Sequence, residues 1–270
     1  MKRYLTAFII FLISSFYFSN SFAQSPYELN FKKETYLLGF GVSASAAGWY
    51  STTRITPLSE KEINYLSKHD INKFDRFVTA YWSPQNARMS NVLLGSFLVL
   101  PASFYFSGHT RDDIATISVI YAEVALISFG LTQLTKGLAQ RVRPFVYNSD
   151  SGIAFSKKNH KDAKQSFFSG HTSVAFASAV FTSTVFSAYF PGSKWKYPVW
   201  CTSLGSAALT GFLRVRAGKH FPTDVLVGAA VGGLTGYFIP YLHRKNSSNN
   251  VNIIPCYQQN QFQITFNFSF

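Results

Sequence analysis

TDVLVGAAVGGLTGYFIPYL, residues Thr223 to Leu242, is a run of 20 residues whose single charge, Asp224, lies at its start. As a helix it extends about 30 Å, the thickness of the hydrocarbon core of a bilayer. Gly228, Gly232 and Gly236 recur at every fourth position, which leaves one side of the helix open to close approach by a neighbouring backbone. Runs of the same character lie at about Thr35 to Tyr50, Asn91 to Ser107, Ile114 to Leu134, Thr172 to Phe190 and Pro198 to Leu213. Their only charge is Glu123, and Trp49, Trp195, Trp200, Tyr237 and Tyr241 sit near run ends as an interfacial aromatic belt does. The pattern predicts an all-α polytopic membrane bundle of about six transmembrane helices.

Composition agrees. Of 270 residues 47% are hydrophobic and only 14% charged, whereas a soluble domain carries about a quarter charged residues. A disordered tail, a collagen-like fibre and a disulfide-stapled mini-domain are excluded. The mean hydropathy of +0.07 requires polar loops between the apolar runs. A net charge of +13 suits nucleic acid, an anionic membrane surface or a phosphorylated substrate. Cys201 and Cys256 support neither a disulfide framework nor a thiolate metal site.

Lys2 and Arg3, the apolar run Tyr4 to Phe18 and Ser21-Phe22-Ala23 have the pattern of a secretory signal over residues 1–23, or of an uncleaved first helix. Residues 24–90 supply an N-terminal apolar segment and a polar loop. In that loop, Ser51 to Ser90, short surface helices are expected and no site chemistry. Residues 91–245 hold the remaining runs. A polar linker then leads, within 246–270, to alternating Phe262, Ile264, Phe266, Phe268 and Phe270, a period-two strand pattern that can form a short β-hairpin-like tail with Val251 to Ile254. Its expected role is structural or docking.

Polar residues cluster at the ends of three apolar runs. Lys136 and Arg143 are seven apart, two helical turns, and share a side if their helix continues to Pro144. Ser169 is a good N-cap, which points the amides of Gly170 and His171 out of a helix N-terminus toward an anion. Arg214 to Asp224 joins the last two runs, and Asp224 lies four residues after His220, close enough to accept its imidazole N–H and fix the tautomer. Alone, each cluster has a plainer reading: a lipid-headgroup anchor, a helix cap, a structural His-Asp pair. Together, two histidines, one carboxylate, a helix N-terminus and three fixed cations are the inventory of phosphoryl transfer, in which positioning and charge neutralisation dominate. Three cations and helix amides can do this without a metal, and metal-site spacings such as His-Glu-x-x-His are absent from the sequence.

The clusters resemble the signature of the type 2 phosphatidic acid phosphatase and vanadium haloperoxidase superfamily, in its bacterial membrane lipid phosphatase branch. That signature is K-x6-R-P, P-S-G-H and S-R-x5-H-x3-D, read here at Lys136 to Pro144, Phe168 to His171 and Leu213 to Asp224. Phe168 replaces a proline and Leu213 a serine, which affects loop shape and one hydroxyl contact. The resemblance covers roughly residues 90–242 and implies that His220 attacks phosphorus while Asp224 orients it. It implies that His171 protonates the leaving oxygen and then activates water, and that Lys136, Arg143, Arg214, Ser169 and Gly170 hold the phosphate oxygens. His69, His109, His160 and His243, outside the motifs, are expected to be solvated or interfacial.

The implied activity is metal-independent hydrolysis of a lipid phosphate or pyrophosphate through a phosphohistidine, with no cofactor and no nucleic-acid partner. The rivals are a lipid-binding scaffold with a degenerate site and a vanadium-dependent haloperoxidase. All three clusters must share one membrane face, and loop parity allows it. An export signal brings the chain out near Gln24, so a full crossing at Thr35 to Tyr50 puts the site inside, and no crossing leaves it outside. The resemblance implies a periplasm-facing site in a bacterial inner membrane.

Overall fold

The computed structural model describes residues 25–150 and 152–245, together with the backbone of two strands at 251–258 and 261–268. The expected leader, 1–23, and residues 246–250 of the linker lie outside the described residues. Each of the six apolar runs forms a helix: α1 (Phe31–Thr53), α2 (Pro84–Val99), α3 (Ile114–Ala139), α4 (Gly170–Tyr189), α5 (Lys196–Arg216) and α6 (Pro222–Leu242). Their starts follow the chemistry of the residues placed there. The side chains of Asn30, Ser83 and Ser169 accept backbone N–H groups of α1, α2 and α4, while Pro84 and Pro222 occupy first turns where a missing N–H costs nothing.

Among the described residues four segments are long and apolar enough to cross a membrane: Pro84–Phe106, Ile114–Tyr147, Gly170–Tyr189 and Pro222–Leu242. The protein is therefore a mostly helical integral membrane protein, with four spans on this measure rather than six. The other two helices fall short for different reasons: α1 is rich in Gly, Ser, Tyr and Trp along its uncharged length, and α5 carries Lys196, Arg214 and Arg216 at its ends.

Helix α4 is the hub, packed by α2, α3, α5 and α6. Its residues from Ala177 to Phe186 are buried on all sides, which small Ala, Ser and Thr side chains permit. The smooth side of α6 faces it. A Cβ on Gly228 would lie 2.6 Å from Ser169 O, and Cβ atoms on Gly232 and Gly236 would overlap the carbonyls of Ser173 and Ala177. The opposite side of α6 exposes Leu226, Leu234 and Phe238, as a lipid-facing surface does.

Helix α1 packs along α3, where a Cβ on Gly48 would meet Gln133 Cβ at 2.6 Å. Both run in the same direction: Gly41 lies by Leu126, Gly48 by Gln133 and Ser51 by Gly137. Helix α1 thus runs the depth of the bundle, and Ser25 lies at the end opposite the C-terminus of α3. If α1 crosses the membrane, a leader that brings the chain out near Gln24 and an outward-facing site exclude one another.

The segment from Arg54 to Ser83 forms short helices over the end of the bundle reached by α3 and α5. Glu60–Tyr65 starts on a reciprocal Ser59–Glu62 cap, with Ser59 N donating to Glu62 Oε2 over 2.7 Å. Leu58 is buried with Phe145 and Val146, and Ile71 and Val78 with Phe221, so this segment forms the outer wall of the candidate site. The backbones of β1 (Val251–Gln258) and β2 (Gln261–Phe268) pair antiparallel, Val251 opposite Phe268.

Candidate active site

The three motifs converge at one end of the bundle. Helix α3 ends at Ala139 because Gln140 takes a left-handed conformation, φ 42°. Lys136 and Arg143 are therefore not two turns of one helix, as the spacing suggested. The chain leaves α3 extended and returns Arg143 to the site, with Arg143 N donating to Ala163 O over 2.8 Å. Gly218, at φ 68°, turns the chain out of α5, and a Cβ there would overlap the carbonyl of Tyr81. That turn delivers Lys219 and His220. Ser169 N donates to Asp224 O over 3.0 Å, which joins the second motif to the third.

His220 is buried, and its Nδ1 lies 2.7 Å from Ser166 O. A carbonyl only accepts, so Nδ1 carries the proton and Nε2 of the neutral ring presents its lone pair. Burial first, then the charges of Arg143, Arg214 and Lys136, hold His220 well below the ordinary imidazole pKa, so the ring is neutral at pH 7.

Asp224 does not take the imidazole proton, contrary to the reading of the His-x3-Asp spacing. Its Oδ2 is 3.7 Å from His220 Nδ1. Instead it accepts from Ser166 Oγ at 2.5 Å, Phe221 N at 2.8 Å and Arg141 Nη1 at 2.5 Å. Ser166 is thus the link, giving its carbonyl to His220 and its hydroxyl to Asp224. Helix geometry explains the difference, because the carboxylate of Asp224 turns back to cap the first turn of α6 at Phe221.

His171, in the first turn of α4, has Nε2 2.8 Å from Asn91 Oδ1 on α2. With that oxygen accepting, the proton sits on Nε2 and Nδ1 is basic. Ser169 is buried, and its Oγ accepts from Thr172 Oγ1 at 2.8 Å. Lys136 Nζ stands 3.6 Å from where a Cβ on Gly170 would lie, at the N-terminus of α4.

Arg143 and Arg214 are both nearly inaccessible, at 4% and 5% exposure. Arg143 donates to the Asp162 carboxylate at 2.7 Å and to Asp162 O at 2.8 Å. Despite burial, which raises it, the Asp162 carboxyl is drawn below the usual carboxylate range by Arg143 and Lys219. Arg214 donates only weakly to Ser90 Oγ at 3.3 Å, and its Nε has no partner among the described residues. A buried guanidinium N–H without an acceptor is costly unless an anion completes it. Lys136, Arg143, Arg214, His171 and His220 act on one another electrostatically, so the three cations singled out for phosphate binding share one field with both histidines.

Several participants escaped the sequence reading. Asp75, from the segment judged free of site chemistry, is fully buried and accepts from Arg141 Nη2 at 2.8 Å and Thr223 Oγ1 at 2.6 Å. Arg141 therefore bridges Asp75 and Asp224, and stacks its guanidinium over the Phe221 ring at 4.2 Å. Asn91, Ser90, Asp162 and Ser166 also contact motif residues. The signals present were a charge in the first motif that phosphate binding did not claim, Arg141, and a polar residue opening an apolar run, Asn91. His243 departs in the other direction: expected to be solvated or interfacial, it is fully buried.

One end of the helical bundle thus gathers two oriented histidines and the buried cations Arg143 and Arg214. The model of the PAP2 superfamily matches residues 117–248, the stretch holding all three motifs. The chain is similar to a lipid A 4'-phosphatase of Porphyromonas gingivalis, 24% identical over 135 residues. That match covers 50% of this chain and 54% of the relative, about half of each. Its fold is also compared with the crystal structure of a transmembrane PAP2-type phosphatidylglycerolphosphate phosphatase from Bacillus subtilis. Identity is 19% and the TM-score 0.42, over 88% of this chain and 93% of that one.

Proposed function

We propose that the protein hydrolyses a lipid phosphate or pyrophosphate monoester at the bilayer surface through a phosphohistidine on His220. The observation that carries this reading is the neutral His220, its Nε2 unprotonated, set among Lys136, Arg143 and Arg214, the last with an unanswered buried N–H. His220 Nε2 attacks phosphorus and the bond to the lipid oxygen breaks as His171, which must enter the step as the imidazolium with a second proton on Nδ1, gives that proton to the leaving oxygen. Water then attacks the phosphohistidine, giving a proton to His171 and releasing phosphate from Nε2. Lys136, Arg143, Arg214, Ser169 and the Gly170 amide neutralise the equatorial oxygens, so the chain's own cations fill the place of a metal. Asp224 acts on His220 through Ser166.

Phosphatidate, phosphatidylglycerophosphate, polyprenyl pyrophosphate and lipid A are the substrate classes to test, with membrane lipids as the surrounding partners. The catalytic membrane domain is residues 91–245, with all six long helices crossing and the tail, 246–270, in a docking role. We place the protein in a bacterial inner membrane with the site toward the periplasm, which the α1 crossing makes compatible only with Ser25 on the cytoplasmic side.

The test is phosphate release by detergent-solubilised protein from that panel, with chelator present. Release in the wild type, lost in His220→Ala and His171→Ala, is expected. Turnover surviving His220→Ala contradicts the mechanism, and a wild type inactive on every lipid phosphate favours a lipid-binding scaffold. For sidedness, a membrane-impermeant thiol reagent in a cysteine-free background labels Ser156→Cys and spares Glu28→Cys; the reverse overturns the orientation.

A further inference from the structure

Far from the reaction centre, Glu34 in the first turn of α1, Glu123 within α3 and His243 at the end of α6 meet. His243 Nε2 lies 2.7 Å from Glu34 Oε2 and 3.2 Å from Glu123 Oε2, and the three donor atoms fall within 4.8 Å of one another. Glu123 and His243 are fully buried, and the Glu34 side chain is 12% exposed. Glu123 precedes Lys136 by 13 residues and His243 follows Asp224 by 19, about 20 and 29 Å along their helices. This cluster therefore sits at the opposite end of the bundle from the histidines His171 and His220.

The protons of the cluster are constrained. His243 Nδ1 is 2.8 Å from Ile239 O, which can only accept, so Nδ1 holds the ring proton and Nε2 of the neutral ring aims its lone pair at two carboxylates. Glu34 Oε1 is occupied by Asn30 N at 2.7 Å, leaving Oε2 turned inward. Among the described residues no backbone or hydroxyl group donates to either oxygen of Glu123, although the side chain has no access to solvent. Lys33, the neighbouring cation, donates instead to Leu242 O at 3.0 Å. Glu34 and Glu123 stand within hydrogen-bonding reach of one another, so without an added proton or a cation two carboxylates face each other beside the lone pair of His243 Nε2, an arrangement that costs several kcal/mol.

One ion satisfies all three donors. In a tetrahedral site with metal–ligand distances of about 2.0 to 2.1 Å, ligand atoms stand about 3.3 Å apart, which matches the 3.2 Å separation here and is about 0.6 Å wider than the 2.7 Å one. An imidazole whose second nitrogen donates to a backbone carbonyl is the usual outer support of a metal-bound histidine. One imidazole and two carboxylates suit zinc or a neighbouring divalent transition metal better than magnesium or calcium, which favour oxygen alone.

We propose that Glu34, Glu123 and His243 bind one divalent transition-metal ion of the zinc class, which ties α1, α3 and α6 together at the bundle end away from the active site. The ion strengthens the tie of α1 to α6, because α1 packs chiefly along α3 and reaches α6 through few contacts such as Lys33 Nζ on Leu242 O. It takes no part in phosphoryl transfer.

The test uses untagged, full-length protein in detergent, stripped with chelator and then titrated with Zn2+. About one equivalent is bound, and the melting temperature rises by several degrees with the ion well above its dissociation constant. Glu123→Gln and His243→Gln lose both effects, while phosphate release by the stripped wild type below its melting temperature persists. Wild type that binds no more Zn2+ than a chelated control overturns the site, as does binding retained in both variants. Should the variants fail to fold, Co2+ added to the wild type decides: visible absorption of a low-coordinate nitrogen and oxygen site supports the proposal, and the weak spectrum of the aquo ion overturns it.

Discussion

Ser166 accepts the Nδ1 proton of His220 through its backbone carbonyl across 2.7 Å, while its hydroxyl donates to Asp224 across 2.5 Å. The carbonyl survives side-chain substitution. Ser166→Ala therefore leaves the imidazole tautomer fixed and removes only the hydroxyl bridge, lowering kcat by about tenfold, the worth of a hydrogen bond to a charged group. Asp224→Ala also releases Arg141 and the Phe221 amide, and is expected to lower kcat by about a hundredfold or more. Steady-state kinetics on both variants check the order, and equal losses contradict the relay.

Asp75 links the Arg54 to Ser83 segment to the start of α6 through Arg141 and Thr223. Burial alone pushes its carboxyl up, but hydrogen bonds from Thr223, Arg141 and Asn72 bring it below the ordinary value of 3.8. A depressed carboxylate pKa contributes stability above the unfolded pKa that is lost as pH falls through the folded one. Asp75→Asn should lower stability by about 2 to 3 kcal/mol at pH 7, less than for a sealed pair because Arg141 is partly exposed. The gap between wild type and variant closes below about pH 4. Thermal unfolding across pH measures it.

The helices and the catalytic motifs were legible because both are local patterns. Apolar runs near bilayer length mark helices, and the spacing of Lys136, Arg143, Ser169, His171, Arg214, His220 and Asp224 survives any tertiary arrangement that brings run ends together. What joins the motifs was not legible. Asp75, Asn91 and Ser166 act across 148, 80 and 54 residues of sequence, on Thr223, His171 and His220, and no periodicity announces such contacts. The His220–Asp224 spacing misled for a related reason: four residues permit a contact, but the carboxylate found better donors in Phe221 N and Arg141. His243 looked like a solvated end residue because its partners Glu34 and Glu123 lie 209 and 120 residues away.

Gly232 and Gly233 are adjacent on α6 and differ in what they face. A Cβ on Gly232 overlaps the Ser173 carbonyl, whereas one on Gly233 meets nothing within 4 Å. Gly232→Ala should destabilise by about 1 to 3 kcal/mol through forced separation of α6 from α4. Gly233→Ala should be neutral or stabilising by up to about 1 kcal/mol, since alanine is the better helix former. Melting temperatures of the pair in one detergent check the contrast.

Lys219 packs over the rings of Trp82 and Phe145, and burial followed by repulsion from Arg143 lowers its pKa to about 8. The ammonium is charged below that pH and neutral above it, so affinity for an anionic substrate falls as pH rises through about 8. Lys219→Arg stays charged and shifts that limb upward. His220 is already neutral at pH 6.5, so it contributes no acid limb there. The pH dependence of kcat/KM for wild type and Lys219→Arg measures both.

The most direct measurement of the central claim is trapping of the phosphoenzyme. Protein mixed with a radiolabelled lipid phosphate is quenched in base, digested and mapped. The expected result is a base-stable, acid-labile phosphoryl group on the peptide containing His220, absent from His220→Ala together with turnover. Rapid hydrolysis by His220→Ala, with no label on that peptide in the wild type, would contradict a phosphohistidine mechanism at this site.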